Sequence, residues 1–76
     1  MNRIRRKALR DIINVLEELK SFIEELQAEE EEYRDNIPEN LQSSERYENA
    51  DIACGYLYDA ACCLDEAISN IDSAIE

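Results

Sequence analysis

Apolar residues recur along this chain in two runs of one seven-residue pattern, three positions wide. The first reads Ala8-Leu9-Ile12, Val15-Leu16-Leu19 and Phe22-Ile23-Leu26. The second reads Ala53-Cys54-Leu57, Ala60-Ala61-Leu64 and Ala67-Ile68-Ile71, and ends on Ala74-Ile75. Steps of three and four line one side of an α-helix. The pattern predicts one helix over 2–34 and another over 44–76, joined by a loop over 35–43. At the helical rise each arm is roughly 45–50 Å long. Matched arms and a short connection predict an all-α fold, a single antiparallel two-helix hairpin over 1–76.

The width of the stripes carries a second expectation. Let Ile12, Leu19, Leu26, Leu57, Leu64 and Ile71 be d positions. Then Leu9, Leu16, Ile23, Cys54, Ala61 and Ile68 are a positions. Ala8, Val15 and Phe22 form an apolar g column on the first helix, and Ala53, Ala60, Ala67 and Ala74 form one on the second. A two-stranded coiled coil needs only a and d. Three columns make the wider stripe of a bundle helix, so one flank of each arm stays wet until another helix covers it. The expected unit is a homodimer packed as a four-helix bundle, or a larger helical oligomer. A monomeric hairpin awaiting a partner helix is the competing form.

The connection has its own punctuation. Asn36 followed by Glu39 reads as an Asx capping box, and Pro38 suits a first helical turn. Asn40, Ser43 or Ser44 can cap the second helix. Ile37 and Leu41 are expected to plug the open end of the pair.

The chain has 76 residues, one Gly and one Pro. A domain this short is marginal alone and gains from assembly. Three cysteines form no spaced framework, and Cys62 and Cys63 are adjacent, which fits a reducing cytoplasm. No apolar run reaches membrane-span length, so no membrane role is expected.

Net charge is −11. That acidity disfavours direct DNA binding. Five of the eight basic residues, Arg3, Arg5, Arg6, Lys7 and Arg10, precede the first acid, Asp11. A helix start prefers acids and its end prefers bases. The first helix reverses this, with Glu29 to Glu32 near its end, so local helix stability does not explain its charges. One account pairs the basic start with Asp65, Glu66, Asp72 and Glu76 of the antiparallel arm. The other gives Arg3, Arg6, Lys7 and Arg10, which share a side of the helix, an anionic partner.

Three further groups stand out. Glu17, Glu18, Glu24, Glu25, Glu31 and Glu32 occupy successive b and c positions as an acidic ridge. It is either a solvated face or a decoy of a phosphate backbone. Ile52, Tyr56, Tyr58 and Cys63 make the second helix apolar outside its stripe, a candidate protein interface. At the loop end, Tyr33, Arg34, Arg46 and Tyr47 bracket amides and hydroxyls, which suits a nucleotide site or simply a capped corner. Catalysis is not expected: there is no histidine, no nucleophile with a partner base and no Gly-rich phosphate loop. No metal site or cofactor is expected either. Cys54 falls at a core position, and the cysteines lack zinc spacing.

The stretch from Tyr33 to Glu48, including DNIPENLQSSERYE, resembles a phrase found in small uncharacterised proteins of phages and mobile elements of Gram-positive gut bacteria. Those proteins also look like acidic helical hairpins. The resemblance brings no activity and no site residue. It implies a phage accessory protein in the host cytoplasm, one that binds rather than catalyses. By analogy with anti-CRISPR proteins and helical sponges for immune nucleotides, the expected role is an anti-defence inhibitor or sequestering protein. Its partner would be a host defence protein or a small anionic nucleotide. A structural adaptor of a phage assembly is the alternative.

Overall fold

The computed structural model describes residues 1–76. It is all-α: a helix α1 (Arg3–Asp35), a short 3-10 turn (Glu39–Leu41) and a helix α2 (Glu45–Ile75). These bounds lie within a residue of those the periodicity predicts. Asn2 caps α1, its side chain accepting a bond from Arg5 N–H at 2.8 Å. Ser44 caps α2, its hydroxyl oxygen accepting from Tyr47 N–H at 3.3 Å.

The corner differs from the expected Asx box. Asn36 closes α1 instead, donating its backbone N–H to Glu32 O. Pro38 precedes the 3-10 turn, and no side chain caps that turn. The chain therefore leaves α1 and turns before a second helix can nucleate. Ile37 is buried as the plug of the open end, while Leu41 is half exposed and does not share that role.

The arms run antiparallel as one rod, 59 × 15 × 13 Å. Its Cα radius of gyration is 17.3 Å, against about 11 Å for a compact domain of this length. Only Ile13, Ile37, Ala50, Cys54, Ala61 and Ile75 are buried, and no large side chain is fully enclosed.

On α2 the enclosed and half-enclosed positions include Tyr47, Ala50, Cys54, Leu57, Ala61, Leu64, Ile68, Ile71 and Ile75, with Ala53, Ala60 and Ala67 beside them. These are the a and d columns flanked by the g column, as the three-column pattern predicts. On α1 they run Arg6, Leu9, Ile13, Leu16, Lys20, Ile23, Gln27, Glu30 and Arg34, with Glu31 beside them. This is also a heptad, but of a and e columns. The seam is thus rotated about 80° from the d column on which the apolar stripe of α1 is centred. The e column carries the ion pairs that cross to α2. Lys20 Nζ lies 2.8 Å from Asp65 Oδ1, and Arg34 Nη1 lies 2.9 Å from Asp51 Oδ1. Turning e toward α2 gives these cations partners and leaves the large d and g residues outside.

Candidate functional site

The two bridges lie two heptads apart on each helix, in opposite directions, so they hold a single register. Both join e columns, which places them along one edge of the hairpin. Because α1 presents its a and e columns, its d column and the g column of α2 share the opposite edge. The rod has two unlike sides as a result.

The first side is polar and hydrogen-bonded. Gln27 Nε2 donates to Glu31 at 3.0 Å, and Lys20 also stands 3.9 Å from Glu24. The Lys20 ammonium is held above its ordinary pKa, first by its hydrogen bond to Asp65. The Arg34 guanidinium is pushed up by its bonds to Asp35 and then Asp51. Cys54 sits at the seam, where burial raises its thiol.

The second side is apolar. Ile12, Val15, Leu19, Phe22 and Leu26 are each 46–55% exposed. With Ala8 they follow steps of four and three along α1, and no acid interrupts them. Ala53, Ala60 and Ala67, half-buried, and the exposed Ala74 line the neighbouring edge of α2. A ridge of large residues therefore runs beside a column of methyl groups.

The structure sorts the sequence candidates unevenly. The basic start does not pair with α2. Lys7 bridges Asp11 on its own helix at 3.2 Å. Arg3, Arg5, Arg6 and Arg10 make no ion pair, and the enclosed Nε of Arg6 has no hydrogen-bond partner. The register explains this. One heptad from the Lys20–Asp65 bridge, Asp72 comes level with Ile13 rather than with an arginine.

The acidic ridge divides. Glu18, Glu25 and Glu32 lie opposite the seam and are exposed. Glu17, Glu24 and Glu31 flank the ion-paired edge, and Glu31 is half-buried there. The tyrosine patch divides as well. Ile52, Tyr56 and Cys63 share the outer face of α2. Tyr58 stands on the ion-paired edge, where the neighbouring Cys62 thiol raises its phenol. Tyr56 and Tyr58 thus belong to different surfaces.

The loop-end group divides too, and part of it forms a cavity. Arg34 turns to Asp35 and Asp51, and Tyr47 joins the seam. Tyr33 and Arg46 stay together: Arg46 Nε donates to the Tyr33 hydroxyl, and its guanidinium carbon stands 5.4 Å from the ring centre. With Asn36, Pro38, Leu41 and Ser44 they line a cavity of about 410 Å³.

Sequence reasoning missed the Lys20–Asp65 and Arg34–Asp51 bridges. The fourteen-residue recurrence of Arg6, Lys20 and Arg34 in one column was the available signal, masked by the stronger apolar columns beside it. No helix is long and apolar enough to cross a membrane. No family model, curated protein or solved structure matches this chain.

Proposed function

We propose that the chain is a non-catalytic binding protein whose working unit is a pair of hairpins joined through the outward stripe of α1. The observation that carries this reading is the half-exposed, acid-free row Ile12, Val15, Leu19, Phe22 and Leu26. In a chain of net charge −11, such a row is a surface kept clear for apolar contact. Its neighbour, the alanine column of α2, gives a second copy room to seat the same row. One face thus offers both halves of a two-fold interface.

Area supports the scale. The hairpin exposes 5805 Å², whereas a compact monomer of this mass exposes about 4,800 Å². The excess of roughly 1,000 Å² is comparable to one partner's share of a standard interface. Sedimentation equilibrium at micromolar concentration tests the pairing. A dimer or larger species is expected, and Phe22→Glu should dissociate it. A stable wild-type monomer would sink the proposal.

The paired unit would act by occlusion or sequestration. The exposed column Glu18, Glu25 and Glu32 borders the stripe on the side away from α2, and regularly spaced carboxylates suit the Arg and Lys rows of a nucleic-acid-binding protein. With the resemblance of segment 33–48, this favours an anti-defence inhibitor of a host nuclease over a structural adaptor. Binding to such a partner should weaken steeply as salt rises, and salt-insensitive binding would count against the reading.

A further inference from the structure

The cavity at the corner differs from every other depression on this rod. The groove over Cys54 is bordered by Glu31, Asp51 and Asp59. The hollow at the start of α1 includes Asp11, and the one beside Tyr56 includes Asp59. The corner cavity has no carboxylate in its lining, although the chain has nineteen acids. Its one charged lining residue is Arg46.

Arg46 is positioned but not spent. A guanidinium carries five N–H groups, and only Nε–H is engaged, by the Tyr33 hydroxyl. No acid bridges Arg46. The Tyr33 contact fixes the plane of the fork and leaves its outer edge free for two parallel bonds to an anion. The ring of Tyr33, with Pro38 and Leu41, supplies an apolar wall suited to a flat group. Asn36 and Ser44 add polar atoms, and Ser44 stands at the positive end of α2. The volume falls within the range of small-molecule sites, about 300–1,000 Å³.

We propose that this corner binds a small planar anion: an aromatic ring or base bearing a phosphate or carboxylate. The anion lies on the Arg46 fork, and the ring lies against Leu41, Pro38 and Tyr33. The site is complete within one hairpin, so it stands or falls apart from pairing through α1.

The test is calorimetric titration of the full chain with adenosine 5′-monophosphate, 1-naphthoate and inorganic phosphate. At least one ring-bearing probe should bind saturably with a Kd below about 1 mM, and at least about tenfold more tightly than phosphate alone. Preference for the nucleotide assigns a phosphate ligand, and preference for naphthoate assigns a carboxylate. Arg46→Gln should weaken the better probe about tenfold or more, and Leu41→Ser should also weaken it. Arg10→Gln, a free arginine remote from the corner, should leave it unchanged. Far-UV ellipticity checks that each variant keeps its helices, and both changed corner residues are exposed on the hairpin. Binding of phosphate as tight as that of the better ring compound overturns the proposal. So does equal loss in Arg46→Gln and Arg10→Gln, or no binding of any probe.

Discussion

Lys20 on α1 reaches across the hairpin to Asp65 on α2, with Nζ 2.8 Å from Oδ1. The pair sits at the edge of the seam in the column that also carries Arg34. It ties the rotation of α1 to the register of the two arms.

Charge exchange tests that link. Lys20→Asp alone and Asp65→Lys alone should each lower the melting temperature, because each places like charges across the seam. The double exchange should recover most of the loss, and the coupling should shrink in high salt. Thermal melts of the four proteins at two salt concentrations provide the check. A double variant no better than the sum of the singles would mean that the pair does not hold the register.

Gly55 interrupts α2 without a steric reason. A methyl group built there meets nothing within 4 Å, and the glycine does not have positive φ. Gly55→Ala should therefore stabilise the hairpin by about 0.5–1 kcal/mol through helix propensity. Urea denaturation measures this as a higher midpoint at unchanged slope. A loss of stability would reveal a close approach at Gly55 in the assembled protein.

The alanine column of α2 separates pairing from folding. Ala60 is half-buried beside the outward stripe of α1. In a paired bundle, Ala60→Leu would overpack the seat of the second copy. Dimerisation should weaken by about 1–3 kcal/mol, or roughly tenfold to a hundredfold in Kd, while helical content stays unchanged. Sedimentation across a dilution series reads the first quantity and circular dichroism the second. An unchanged dimer constant would place the interface elsewhere on the rod.

The two helices were legible in the sequence because their apolar columns repeat without a break and Ser44 is among the residues whose chemistry suits a cap of the second. The rotation of α1 was not legible. Its stripe predicts which residues avoid water, but the seam also takes in Lys20 and Arg34, whose partners lie on the other arm. Single-helix periodicity contains no cross-helix pairing. The same limit applies to the candidate sites. Tyr56 and Tyr58 are neighbours in sequence, yet two residues along a helix put them about 160° apart when measured the short way round. Tyr33 and Arg46 meet only because the corner folds back.

Alkali should loosen the hairpin, with a sign set by three upward shifts. Burial raises the Cys54 thiol from 9.0. The Tyr58 phenol rises from 10.0 beside Cys62, and the Lys20 ammonium rises from 10.5 beside Asp65. Each group holds its proton more tightly in the folded chain than in the unfolded one. The unfolded chain therefore releases protons first, and stability falls as pH climbs. The contribution of these groups is complete below about pH 9 and is lost progressively above it, with Cys54 first. Arg34 stays charged throughout this window. The melting temperature should decline from about pH 9 to pH 11. Cys54→Ala should flatten the earliest part of that decline, whatever its effect on stability at neutral pH. Thermal melts of both proteins at half-unit pH steps decide the matter. A wild-type melting temperature that holds level to pH 11 would show that the thiol and the Lys20 bridge contribute nothing to holding the arms together.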